Sequence, residues 1–225
     1  MCGRYTLGKE PNSLLDYFHL HGDVPVYHLS YNIAPSQLAP VVLHNQDGQR
    51  VCQMMRWGLV PAWSKGPDPR FNMINARAET ITQKPAYKTA FKTRRCLIPC
   101  DGFYEWQAPQ AESEKQKQPF FIRRKDQQLM AMAGVWDHWQ DENEPITSFS
   151  VITTIANSFM QRIHQRMPVM IEPDQIDAWL TNDITNPSQL TRLLLSRESD
   201  ELQMYPVSRS VNSPKNDSIE LLAPL

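Results

Sequence analysis

Glycine is scarce in this chain: its 225 residues hold 8 glycines against 18 prolines. Proline fixes φ and removes a backbone donor, so this balance favours extended segments and stiff turns over long helices. Charge of one sign is lacking too. With 23 Lys and Arg against 24 Asp and Glu, the formal net charge is −1, and the whole-molecule balance carries no signal for nucleic acid. Any phosphate-binding surface must then be a local basic cleft, because phosphate contacts need positive charge where the strand lies. No apolar run approaches the ~20 residues of a membrane helix. The start, Met1-Cys2-Gly3-Arg4-Tyr5, has no charged region leading into an apolar one, which argues against a secretory signal.

Cysteine is limited to Cys2, Cys52, Cys96 and Cys100. Cys96 and Cys100 lie in an apolar, strand-like segment without a second Cys or His pair at zinc-finger spacing, so no metal is expected. A disulfide framework is unusual in a chain this long without export signals, and free thiols in a cytoplasmic protein are the default.

What is present is the composition of an ordinary soluble domain, with 41 % hydrophobic and 21 % charged residues. We expect one domain over residues 1–225, of the α+β class, with a mostly antiparallel or mixed barrel-like sheet and flanking helices. Pro11-Asn12-Ser13 reads as a capped helix start. Tyr31 to Pro35 leads into a short strand at Ala39–Leu43, which ends at the turn Asn45–Gly48. Strands are expected at Val51–Val60, Arg95–Trp106, Pro119–Arg124, Leu129–Trp139 and Ser148–Ile155, with extended chain from Gln203 to Val211. Loops are expected over Ser64–Arg70 and over the polar stretch Gln107–Gln118. Helices are expected near Ala86–Arg95, after Pro173, and from Pro187 through Leu195.

Four residues carry candidate chemistry. Cys qualifies as a small second side chain for removal of Met1, which would leave an α-amine and a thiol two carbons apart. An α-amine titrates roughly 2.5 units below lysine, so far more of it is neutral near pH 7. Such an amine adds to an aldehyde to give an imine, and the tethered thiol can then close a five-membered thiazolidine. Glu105 lies among aromatics in Gly102-Phe103-Tyr104-Glu105-Trp106, surroundings that push a carboxylate towards acid–base use. His164 is a candidate proton shuttle. Asn75 is a candidate to orient a nucleophile.

The order of motifs is more specific than any one of them. Met-Cys-Gly-Arg-Tyr at 1–5, Tyr-Asn-Ile-Ala-Pro at 31–35, Trp-Gly-Leu-Val-Pro-Ala-Trp at 57–63 and Ile-Asn-Ala-Arg-Ala-Glu at 74–79 come first. Cys-Leu-Ile-Pro-Cys-Asp-Gly-Phe-Tyr-Glu-Trp at 96–106, Ile-His-Gln-Arg-Met-Pro at 163–168 and Pro-Val-Ser at 206–208 follow. Over essentially its whole length the chain resembles the SOS-response-associated peptidase (SRAP) family, the abasic-site processing proteins.

The resemblance implies a thiazolidine crosslink between mature Cys2 and the ring-opened sugar of an abasic site in single-stranded DNA. It implies that Asn75 positions Cys2, that Glu105 is the acid–base group beside the amine, and that His164 assists ring opening and reversal. It implies DNA contacts from Arg4, Asn32, Trp63, Arg77, Arg166, Ser208 and Arg209. Trp57 and Trp106 are assigned to core packing. Lyase and autopeptidase activities are implied beside the crosslink, although aminopeptidase processing of Met1 suffices here. A monomer with no cofactor and no membrane partner is expected, cytoplasmic and nucleoid-associated when bound to damaged DNA. Two rivals stand beside this reading. One is an N-terminal-nucleophile glutamine amidotransferase, since those enzymes also begin Met-Cys-Gly and Gly66-Pro67-Asp68 echoes their substrate loop. The other is a noncovalent module that binds single strands or modified bases.

Overall fold

The computed structural model describes residues 2–68, 72–109, 116–140, 144–184, 186–196 and 198–225. In chain order its strands are β1 (Arg4–Leu7), β2 (Ser30–Ile33), β3 (Leu38–His44), β4 (Arg50–Trp57), β5 (Asn75–Arg77) and β6 (Arg95–Cys100). They continue with β7 (Gly102–Gln107), β8 (Gln118–Arg124), β9 (Met130–Trp139), β10 (Ile146–Ile155), β11 (Arg166–Pro168) and β12 (Leu202–Pro206). The helices are short: α1 (Pro11–Phe18), α2 (Lys88–Thr93), α3 (Ser158–Gln161), α4 (Ile176–Leu180) and α5 (Pro187–Arg192).

Two sheets carry the fold. One is antiparallel throughout, in the order β12-β8-β7-β1-β2. In the other, β10, β4, β3, β6 and β9 follow one another and β9 pairs back onto β10, closing a five-stranded barrel. Within that ring only β4 and β10 run parallel. Closure removes the exposed edges that a free sheet would present. The α+β class and the barrel-like sheet are therefore as the sequence suggested.

One apolar core joins the sheets. Tyr5 on β1 meets Trp57 on β4 edge-on, with ring centroids 5.1 Å apart, and Trp57 stacks on Phe149 of β10 at 6.3 Å. All three are fully buried, each side chain contributing about 1.5–3 kcal/mol by leaving water. Gly134 on β9 stands opposite Cys96 of β6, and a Cβ there would meet Ile98 Cδ1 at 2.3 Å. Gly58 ends β4 at φ +116°, a conformation that L side chains rarely adopt.

Several sequence expectations shift. α1 is not capped by Asn12 or Ser13; its N-cap is Glu10, without a side-chain cap, and Pro11 sits in the first turn. Ser30–Ile33 is a strand because β1 pairs with it, which a segment rich in turn formers did not announce. Arg95–Trp106 is two strands in different sheets, broken at Asp101. The Asp101 carboxylate accepts from the Thr6 hydroxyl and from the Gly8 N–H, the latter at 2.8 Å, and this tie turns the chain. After Pro206 the chain leaves extended structure for a 3-10 turn over Arg209–Asn212. α5 stops at Arg192, short of Leu195. Residues 69–70 and 110–115 of the two expected loops lie outside the described residues, as does Met1.

Candidate functional site

The register of β1 on β7 (Arg4 opposite Tyr104, Tyr5 opposite Phe103) brings the N-terminal end of β1 alongside Glu105. Cys2 is fully buried there and Glu105 is 2 % exposed. Burial pushes the Cys2 thiol far above the ordinary cysteine range, and the Glu105 carboxylate adds to the shift because a second negative charge beside it is unfavourable. The thiol therefore rests protonated. The Arg4 carbonyl lies 3.8 Å from the Cys2 Sγ, within reach of a weak S–H donor.

Asn75 reaches the same point from the barrel. It opens β5, which runs parallel to β10 with Asn75 opposite Val151. Its side-chain Nδ2 donates to the Cys2 carbonyl at 2.9 Å. Tyr87 in turn donates its hydroxyl to the Asn75 carbonyl at 3.2 Å. The buried Asn75 Oδ1 has no hydrogen-bond partner among the described residues. The contact grips the peptide of Cys2 and leaves its reactive atoms unengaged by Asn75.

His164 lies in the turn between α3 and β11 and is half-buried. The Arg166 N–H donates to its Nδ1 at 3.0 Å, and the Arg166 carbonyl is 3.1 Å from the same nitrogen. The Arg166 peptide thus offers a partner to either state of the ring: its N–H to a lone pair, its carbonyl to an Nδ1–H.

The residues expected to contact DNA fall into distinct settings. Arg4 is half-buried, and burial lowers its pKa. Its Nη1 donates to the Gly3 carbonyl at 2.7 Å, while its buried Nε has no hydrogen-bond partner among the described residues. Arg77 and Arg209 are exposed. Trp63 is 67 % exposed although its loop is tightly held. Val60 N–H donates to Ser148 Oγ at 2.8 Å, Ala62 N–H to Asp137 at 3.0 Å, and Trp139 Nε1 to the Ser64 carbonyl at 3.0 Å. Trp63 borders a cleft of about 1060 Å³ whose wall includes Arg56, Lys65, Asn72 and Met73. The last of these lies two residues before Asn75.

Three expected contacts are engaged within the protein. Asn32 is 1 % exposed, and its Nδ2 donates to the carbonyls of Val211, Ser213 and Asn216 at 3.2, 3.0 and 2.8 Å. Ser208 caps the 3-10 turn, its Oγ accepting from Ser210 N–H at 3.2 Å. Arg166 forms a fork with Glu79 at 3.1 and 3.0 Å. Trp106 is half-buried and packs against the apolar cluster of Tyr104, Phe121, Val207, Val211 and Leu221, as expected, and its Nε1 donates to Asn212 Oδ1 at 2.8 Å. That bond fastens the Ser208–Asn212 turn to the strand position next to Glu105.

Sequence reasoning passed over Glu79, Thr153 and Tyr87, which support the site without local signal. Glu79 was inside a motif already singled out, but its partner lies 87 residues away. Among the described residues no group of three or more His, Cys, Asp or Glu could hold a metal ion, and all four cysteines are free. No described helix is long and apolar enough to cross a membrane.

Comparison with known proteins agrees with this architecture. A solved structure from Bacteroides thetaiotaomicron superposes with a TM-score of 0.87 over 100 % of both chains at 24 % identity, a likeness of fold. The abasic site processing protein YoaM of Bacillus subtilis is 41 % identical over 99 % of this chain and 97 % of its own length. The abasic site processing protein HMCES of Xenopus tropicalis is 35 % identical over 90 % of this chain and 68 % of its own. The family model for SOS response associated peptidase (SRAP) matches residues 1–214. The order of motifs, the fold and these matches together establish that the chain belongs to the SRAP family.

Proposed function

We propose that this chain processes abasic sites in single-stranded DNA by forming a covalent adduct through Cys2. The observation that carries the reading is the 2.9 Å bond from Asn75 to the Cys2 carbonyl, which fixes the residue by its peptide and leaves its amine and thiol unbound by Asn75. The chemistry requires the α-amine of Cys2 to be free, since an amine still joined to Met1 is an amide and not a nucleophile.

An abasic sugar is mostly a closed hemiacetal. His164 donates a proton to the ring oxygen while the anomeric hydroxyl gives up its own to water, and the ring opens to the aldehyde. The Cys2 amine, with Glu105 taking its proton, adds to the aldehyde carbon, and loss of one water gives an imine. The thiol then adds across the C=N bond, its proton passing to nitrogen, and the thiazolidine closes. The half-buried Arg4 guanidinium near the cysteine supports a phosphate contact there. Exposed Trp63 supports stacking on an unpaired base. β-Elimination from the same imine is the competing outcome.

Intact-mass spectrometry tests the proposal. Protein shown to lack Met1, incubated with a single-stranded abasic oligonucleotide, should gain the mass of the DNA less one water, stable to denaturant. Cys2→Ala should gain nothing. A wild-type preparation without Met1 that forms no adduct overturns the reading.

A further inference from the structure

We infer that Asp137 is a positioning residue: together with Ser148 opposite it, its carboxylate clips the loop that presents Trp63 and so sets where that ring meets an unpaired base. The meeting with a base rests on the function proposed above; the clip does not.

The described residues between the end of β4 at Trp57 and the start of β5 at Asn75 form no helix or strand, so no ladder holds Trp63. At 67 % exposure its ring gains little placement from packing, and its direction follows from the backbone on either side. That backbone is tied to side chains of the barrel. Asp137 on β9 and Ser148 on β10 stand directly opposite each other, so both side chains lie on one face of the sheet. Ser148 Oγ accepts from the Val60 N–H at 2.8 Å, and Asp137 Oδ2 accepts from the Ala62 N–H at 3.0 Å. Trp139 follows on the same face of β9 and holds the far side of the loop, its Nε1 donating to the Ser64 carbonyl at 3.0 Å. Gly66 lies against that ring, where a Cβ would sit 3.1 Å from Cζ2.

Asp137 is the charged member of the clip and is 5 % exposed. A carboxylate so buried is unfavourable unless its lone pairs are used, and here three donors use them. Oδ2 takes the Ala62 N–H, while Oδ1 takes the His138 N–H at 2.8 Å and the Arg94 guanidinium at 3.1 Å. Arg94 is the C-cap of α2, so one side chain joins α2, β9 and the residue immediately before Trp63. Donors stand at both oxygens, and an amide in the same place would turn its NH₂ towards one of them. D137N, equal in size, is therefore the variant that opens the clip.

The experiment uses the full chain carrying 5-fluorotryptophan, and the variants D137N, S148A, W63A and D137N/W63A. The Trp63 ¹⁹F line is the one missing from W63A, and the fully buried Trp57 and Trp179 report the core. The inference expects the Trp63 line to shift or broaden in D137N and in S148A while the core lines stay. Affinity for a fluorescein-labelled single strand should fall about 3- to 10-fold in D137N, but by less than about twofold when W63A is already present. An unmoved Trp63 line in D137N with the core lines intact overturns the inference. So does an affinity loss of equal size in the W63A background, which would place the effect of Asp137 elsewhere. Should D137N lose its core lines, the Trp63 line of S148A decides. Should W63A bind the strand as wild type does, the stacking role proposed above fails while the ¹⁹F line still decides the clip.

Discussion

Asn75 binds the carbonyl of Cys2 and not its sulfur. Replacing it therefore acts on where the nucleophile stands and leaves its intrinsic reactivity alone. Asn75→Ala removes one buried hydrogen bond, about 1–3 kcal/mol, and should slow adduct formation by about 10- to 100-fold while the product keeps the same mass. Asn75→Asp should be worse, because a carboxylate would face the carbonyl with no donor. Quench-flow kinetics with an abasic oligonucleotide separate the two; equal rates for Asn75→Ala and wild type would remove Asn75 from the site.

The four buried thiols give a pH dependence with a definite sign. Each is raised by burial, Cys52 to about 12 and the other three further. An unfolded cysteine titrates near 8.5, so above that pH the unfolded chain loses protons that the folded chain retains. Stability is then fully present below about pH 8.5 and declines as pH rises, by up to about 1.4 kcal/mol per unit for each thiol. Urea melts at pH 7.5 and pH 10 check this. Iodoacetamide at pH 8.5 should label the folded protein slowly and all four sites rapidly after unfolding.

Asn32 clamps the C-terminal segment. With three carbonyls dependent on one amide, Asn32→Ala should cost about 2–3 kcal/mol and lower Tm by roughly 5–10 °C. Limited proteolysis should cut the variant between residues 211 and 217. An unaltered Tm together with weakened DNA binding would instead make Asn32 a DNA contact.

Trp63 is exposed on a fixed loop, so removing its ring should leave Tm nearly unchanged. Trp63→Ala should weaken binding of single-stranded DNA by about 1–3 kcal/mol, the range for one stacked base. Because Trp63 is 67 % exposed, part of the wild-type tryptophan emission should quench on binding, and that part should vanish in the variant. Full affinity in Trp63→Ala would exclude stacking.

Much of this molecule could be read from its sequence, for local reasons. The alternating β-branched run of β10 and the Pro-opened helices carry their signals within a few residues. The resemblance already sets Asn75 to position Cys2, and a 2.9 Å bond joins them. The misreadings share a cause: the deciding partner lies far along the chain. Asp101 breaks an otherwise continuous alternation because Thr6 and Gly8 bind its carboxylate. Ser30–Ile33 is a strand only beside β1. Glu79, the partner of Arg166, lies 87 residues away and gives no local signal of the pair.

Strand β10 pairs in turn with β9, β4, β5 and β11. Asn75 and His164 both hang from it, one through a parallel neighbour and the other through an antiparallel one. Both neighbours are three-residue strands outside the five-stranded ring, so either can fray from β10 while the ring stays closed. The Val151 amide, which donates to the Ile74 carbonyl, should accordingly exchange through local opening, faster than the amides shared between β6 and β9. Mild heat or denaturant would then disable the site first, leaving a folded but inactive species.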